Sequence, residues 1–174
     1  MLTIRTANRF DAAAIARVYV ETWRDAYAGI LPDQGLLSMS EKRQTAMWRR
    51  AVAVDMVKVA IDRQAGIVGF GSCGPTREGD LPYGGEIFTL YVLADFQNRG
   101  IGKRLLDSLF GALLKQGIDS AVIWVLEENP ARFFYQAMGG RWTAVREEPM
   151  WGAAVPQRAY GWSDLRKAIA PSFG

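Results

Sequence analysis

The chain has 174 residues, with 21 lysines and arginines against 18 acidic residues, one cysteine and no histidine. That length suits one domain, and 49% hydrophobic with 22% charged residues excludes disordered and collagen-like classes. Without histidine there is no Ser-His-Asp or Cys-His catalysis, no HExxH zinc site and no imidazole shuttle, and a lone Cys73 excludes an intramolecular disulfide and a CxxC zinc pair.

In chain order, Leu2–Thr6 alternates apolar and polar and is expected as a first strand. Asp11 is placed to cap a helix whose apolar face is Ile15, Val18, Tyr19 and Trp23. A Gly-Ile-Leu-Pro break at 29–32 precedes a second helical region, roughly Ser40–Ala51. Strands are expected at Val57–Ile61, Ile67–Cys73 and Glu86–Val92, with a hairpin turn at Arg63–Gly66 and a looser loop at Gly74–Gly85. A helix from about Gly100 to Gln116 carries Leu105, Leu109 and Leu113 on one stripe, and Gly117 ends it. Ala121–Leu126 is a continuous apolar run of the kind found in buried central strands. Pro130 and Gly139 bracket a short helix, Ala131–Met138, and strands at Trp142–Arg146 and Gln157–Trp162 close the chain. The order describes one α+β domain over residues 1–174, without repeats or linkers.

The net charge of +3 is modest and its basic residues are interspersed with acidic ones, which suits an anionic small ligand at least as well as nucleic acid. Six tryptophans are spread from Trp23 to Trp162 without interleaved basic runs, so most are read as core and no nucleic-acid partner is expected. No apolar run approaches the roughly 20 residues of a membrane span, and the first residues lack the apolar core of a signal peptide. The expectation is a cytoplasmic protein with no membrane partner.

Chemistry concentrates in Gln97-Asn98-Arg99-Gly100-Ile101-Gly102-Lys103, between a strand and a long helix. Glycines there let backbone approach a ligand, the helix start offers unpaired amides, and Arg99, Lys103 and Arg104 add positive charge. A Walker loop would need glycine at Gln97 and Ser or Thr at Arg104; a dinucleotide fingerprint would need glycine at Leu105. Both patterns fail.

The segment instead resembles the Q/R-x-x-G-x-G/A signature of the GCN5-related N-acetyltransferases, which binds the pyrophosphate of acetyl-coenzyme A. Glu86-Ile87-Phe88-Thr89-Leu90-Tyr91-Val92 is similar to that family's fourth strand, and Asn129 to Gly139 is similar to its N-x-x-A-x-x-F-Y-x-x-x-G block. Gly140 departs from the pattern, since many members carry a hydrophobic residue there. The resemblance implies a single-domain α+β fold. Its mixed, mostly antiparallel sheet would have about seven strands, splayed between the fourth and fifth and flanked by about four helices, with acetyl-CoA as co-substrate and no metal.

By position, Gln97 to Lys103 would hold the pyrophosphate. Leu90, Tyr91 and Val92 would meet the pantetheine arm, with Tyr91 and Val92 giving it backbone hydrogen bonds, and Asn129 would bond the same arm or cap the helix that follows. Glu86 would take the amine proton directly or through water, and Tyr135 would protonate the departing thiolate. Cys73 in an apolar strand is read as packing. If the family architecture holds, the acceptor would lie between the first two helices and a loop at Glu147-Glu148-Pro149-Met150-Trp151, with Trp23, Tyr27 and Trp48 as walls. The implied activity is acetyl transfer to a primary amine on a small molecule or peptide by direct attack in a ternary complex. The alternative is a non-catalytic acyl-CoA sensor. Exposed C-terminal strands permit a homodimer.

Overall fold

The computed structural model describes residues 1–169; the expected domain's last residues, 170–174, lie outside the described residues. Seven strands are observed: β1 (Leu2–Thr6), β2 (Met56–Asp62), β3 (Gly66–Pro75), β4 (Gly85–Val92), β5 (Ala121–Leu126), β6 (Arg141–Met150) and β7 (Ala153–Trp162). The helices are α1 (Ala12–Tyr27), α2 (Asp33–Ser38), α3 (Glu41–Val54), α4 (Ile101–Lys115), α5 (Ala131–Ala137) and α6 (Leu165–Ile169). Among the described residues there are six helices, the expected four and two more. The two additions, α2 and α6, span only six and five residues, less than two helical periods, too short for an apolar stripe to repeat.

One sheet runs in the order β1-β2-β3-β4-β5-β7-β6. All neighbours are antiparallel except β4 and β5, which are parallel. On one face, α1 and α3 bury Ile15, Val18 and Trp48 against Val57, Val59 and Phe70. On the other, the expected leucine stripe of α4 packs Leu105 on Ala60 and Val68, and Leu109 and Leu113 on Cys73 and Ile87. Apolar area removed from water by these two layers supplies the main drive to fold. No described helix is long and apolar enough to cross a membrane.

Asp11 does not cap α1 with its side chain, contrary to expectation. A short 3-10 turn at Arg9–Asp11 intervenes, and the Asp11 carboxylate instead accepts the Asn8 N–H at 2.8 Å and pairs with Arg5 at 2.7 Å. Hydrogen bonding from Arg5 holds the Asp11 carboxyl below its ordinary value. A carboxylate with a lowered folded pKa stabilises above its unfolded pKa, and that stabilisation disappears as pH falls through the folded one. Asp11→Asn is therefore expected to lower the urea midpoint at pH 7 by an amount worth about 1–3 kcal/mol. The difference from wild type should vanish in acid, below the carboxylate range.

The sheet splits at its middle. β4 pairs with β5 only through Gly85–Ile87 and Ala121–Ile123. The β3 register passes from Ser72↔Thr89 to Cys73↔Ile87, so Phe88 is an extra residue in β4. Such a bulge bends a strand and sharpens its twist, and from Phe88 onward β4 and β5 no longer pair.

The C-terminal hairpin is longer than its sequence pattern suggests. The segment Glu147–Met150, expected as loop, pairs in ladder register with Pro156–Ala153, and only Trp151 and Gly152 form the turn. Pro149 is tolerated because β6 is an edge strand, where a missing N–H need not break a ladder bond. Both turn residues have positive φ, 46° and 82°, as a two-residue hairpin of the primed type requires. The Trp151 ring rests on Gly35 of α2, where an added Cβ would come within 2.2 Å of the indole.

Candidate active site

Where β4 and β5 part, a cleft of about 1060 Å³ opens, lined by both strands, the end of α1, the start of α4 and α5. Leu93 donates its N–H to Val68 of β3. Backbone groups alternate along a strand, so Tyr91 also turns its amide to β3, while Leu90 and Val92 turn theirs into the cleft. The backbone groups that face the cleft are thus those of Leu90 and Val92, in place of the expected Tyr91 and Val92. Tyr91 contributes its ring, which is packed edge-on to Tyr19 at 5.7 Å and 5.8 Å from Phe70.

At one end of the cleft, Asn98 and Gly100 both have positive φ, 59° and 75°. Gly100 then begins α4 in the left-handed conformation. Successive amides in a turn of this kind, with the first free N–H groups of α4, are suited to cradle an anion. Gln97 lies beneath it, its Nε2 donating to the Val92 carbonyl at 2.9 Å, which ties the cradle to β4. The cationic side chains are partly committed. Lys103 pairs with Asp107 at 2.7 Å, and Arg104 reaches the Leu2 carbonyl at 3.3 Å. Arg99 lies over the Phe96 ring at 5.1 Å. At Gly102 an added Cβ would stand 3.3 Å from the Phe134 ring of α5, so this glycine also sets the approach of α4 to α5. Gly102→Val is expected to weaken acetyl-coenzyme A binding about tenfold by calorimetry, from crowding at a helix start whose amides must stay aligned. Unchanged affinity in a folded variant would remove this loop from the binding site.

Along the cleft, Tyr135 is buried on α5 and lines the space. Burial, with neighbouring Tyr27, pushes its hydroxyl well above the ordinary tyrosine value, which keeps it a proton donor. Tyr27 is buried at the end of α1 and its hydroxyl accepts from Asn129 Nδ2 at 3.2 Å. The other end of Asn129 accepts the Ala131 N–H at 2.9 Å, opening α5. Asn129 therefore serves the helix start, and one Nδ2 hydrogen and one Oδ1 lone pair are left for a ligand.

Glu86 is buried in the short paired stretch of β4 just before the split and lines the cleft. Its Oε2 accepts from Arg77 Nη2 at 2.6 Å, and its Oε1 accepts from the Arg77 backbone N–H at 3.2 Å and Nε at 3.5 Å. Arg77 belongs to the β3–β4 loop, and nothing local in the sequence marks a partner nine residues away at the far end of that loop. Beyond it, Arg146 on β6 lies 4.1 Å over the Trp124 ring and pairs with Glu78 and with Glu148, the latter at 3.3 Å.

Trp23 and Tyr27 line the cleft, whereas Trp48 does not; it packs into the α1–α3 core, 4.9 Å from Phe70. Of the Glu147–Trp151 segment, Met150 lines the cleft and Glu148 a smaller hollow beside it; Glu147 points away on the exposed edge. The reading of most tryptophans as core holds for Trp48 and Trp162, while Trp142 and Trp151 are largely exposed. Gly140 has a steric reason: an added Cβ would lie 2.8 Å from the Trp162 ring and 2.9 Å from the Tyr135 carbonyl. Here Trp162 occupies the space a side chain at 140 would fill. Cys73 faces α4, its Sγ 3.7 Å from the Leu109 carbonyl, and burial pushes its thiol up to about 12. Among the described residues no group of three or more acidic, Cys or His side chains is placed to hold a metal.

The FR47-like protein family model matches residues 80–151, from just before β4 to the tip of the β6–β7 hairpin. The Bacillus subtilis protein YuaI, described as an uncharacterized N-acetyltransferase, is 34% identical over 165 residues, covering 95% of each chain. Among solved structures, a GCN5-related N-acetyltransferase from Rhodopseudomonas palustris shares the fold with TM-score 0.72, over 91% of this chain and 93% of its own, at 19% identity. The yncA protein of Salmonella typhimurium, whose structure holds its cofactor acetyl-CoA, aligns with TM-score 0.69 over 99% of each chain at 22% identity. The near full-length match to YuaI joins the split sheet and the glycine turn at α4, and by both the chain belongs to the GCN5-related N-acetyltransferase family.

Proposed function

We propose that this chain, as one domain over residues 1–174, transfers the acetyl group of acetyl-CoA to a primary amine within a ternary complex. One observation carries the reading: a single cleft joins an amide cradle suited to a pyrophosphate, free strand amides suited to a pantetheine arm, and a buried acid and phenol beyond them. An extended arm laid along β4 would gain strand-like hydrogen bonds from Leu90 and Val92. That arm would run toward Tyr135, with its pyrophosphate on the amides of Asn98 to Lys103.

In the transfer step the amine nitrogen attacks the thioester carbonyl carbon. Its proton passes to Glu86, directly or through a water, and the carbon–sulfur bond breaks as the tetrahedral intermediate collapses. Tyr135 gives its hydroxyl proton to the departing thiolate and regains one from solvent. An acyl-enzyme on Cys73 is disfavoured, because that thiol is buried against α4 and its raised pKa leaves little thiolate. The acceptor would enter past Trp23 and Tyr27, from the side where Met150 of β6 lines the cleft.

The test is a panel of amines incubated with acetyl-CoA, with free thiol measured over time: spermidine, an alanine-terminated peptide, a lysine-containing peptide and an aminoglycoside. Acetyl-CoA affinity is measured separately by calorimetry. Amine-dependent thiol release is the expected result. Tight binding without release for any amine would make the chain a sensor, and absence of binding would overturn the reading altogether.

A further inference from the structure

Arg77 stands outside every motif in the chain, yet among the described residues it supplies all the hydrogen bonds found to the Glu86 carboxylate. Resting on the proposed role of Glu86, we propose that Arg77 is the positioning residue that holds this carboxylate in the split, aimed at the acceptor amine. Three N–H groups of the one residue, its backbone amide, Nε and Nη2, reach the two carboxylate oxygens. A carboxylate offers about four lone-pair sites. Three donors leave roughly one site open, enough for the amine or for one water and too few for the group to turn freely.

The clamp is itself fixed. The guanidinium of Arg77 lies over the ring of Phe88 at 4.4 Å. Phe88 is the extra residue of β4, so the same side chain grips both the carboxylate and the bulge at which the sheet opens. On its C-terminal side, Glu78 pairs with Arg146, which is stacked on Trp124 of β5. The β3–β4 loop is thereby tied to both lips of the split. Glu86 is buried while Arg77 is 63% exposed at its side chain, so the arginine reaches the acid from solvent. This arrangement orients the base without walling off the acceptor side. A guanidinium matches a carboxylate with two parallel N–H bonds where an ammonium offers a point charge.

The experiment compares Arg77→Met, Arg77→Lys, Glu86→Gln and the Arg77→Met/Glu86→Gln double variant. Turnover is measured with whichever panel amine the wild type acetylates fastest, alongside acetyl-CoA affinity and a crystal structure of Arg77→Met. Arg77→Met should lose roughly tenfold in turnover at saturating amine with acetyl-CoA affinity unchanged, and Arg77→Lys should recover part of the loss. In the Glu86→Gln background, Arg77→Met should cost almost nothing further, because a residue acting through Glu86 has nothing left to position. The crystal structure should show the Glu86 carboxylate rotated from its wild-type place, a readout that needs no acceptor. An unmoved carboxylate, wild-type turnover in Arg77→Met, or a full additional loss in the double variant would overturn the inference. Full turnover in Glu86→Gln would instead overturn the role of Glu86 itself, a separate result.

Discussion

Glu86→Gln should lower turnover by about 10²–10⁴-fold, the span of general-base contributions, while acetyl-CoA affinity stays within a few-fold. The amide keeps the size of the carboxylate but accepts from Arg77 through only one of the two atoms that did so, so a modest fall in Tm is expected. What it loses is the ability to take a proton. The deficit should shrink as pH rises, because more of the amine then arrives already neutral and the one proton still released after attack passes readily to solvent or hydroxide. Full turnover of the variant at neutral pH with saturating amine would assign the proton to a water or another side chain. A loss that is equal at all pH values, with weakened acetyl-CoA binding, would make Glu86 a structural anchor of the β3–β4 loop.

Removal of one oxygen from Tyr135 should have the next largest effect. Tyr135→Phe keeps the ring against Phe134, 5.3 Å away, and Trp162, 6.4 Å away. Packing therefore survives and Tm should barely change. Turnover should fall roughly 10–100-fold, less than for a typical general acid because a thiolate with unperturbed pKa near 8.5 leaves fairly well unaided. Affinity for acetyl-CoA should hold within a few-fold, since the hydroxyl acts mainly once negative charge gathers on sulfur. Burial raises the pKa of this phenol, so the wild-type enzyme should show no alkaline loss from Tyr135 across the ordinary assay range. Normal turnover with a lowered Tm would make Tyr135 a packing residue.

The frame of the fold was legible because it is written in local periods. The Leu105–Leu109–Leu113 stripe, the apolar run of β5 and the alternation of β1 each state their own element, and the observed bounds of β1 and β5 match. The glycine turn before α4 was legible for the same reason: a positive φ at Gly100 is a local requirement. What could not be read is long-range. The Arg77 clamp on Glu86 joins two positions through a loop of unpatterned sequence. By its sequence position Asp11 belongs to the helix beside it, whereas its strongest partner, Arg5, lies on β1. The acidic, proline-containing end of β6 looked like loop because an edge strand lacks the apolar alternation that burial imposes.

The packing of Trp151 on Gly35 also bears on how such a protein can change over time. The hairpin tip has a backbone conformation that costs a bulky residue energy, and the bare surface of α2 is where its indole comes to rest. A side chain at 35 would leave the ring no seat, and a small residue at 151 would leave Gly35 with no reason to be glycine. The two positions therefore form a single heritable unit despite their distance along the chain. In chimaeras between relatives, a hairpin moved without its matching residue at 35 should lower thermal tolerance, and moving both together should restore it.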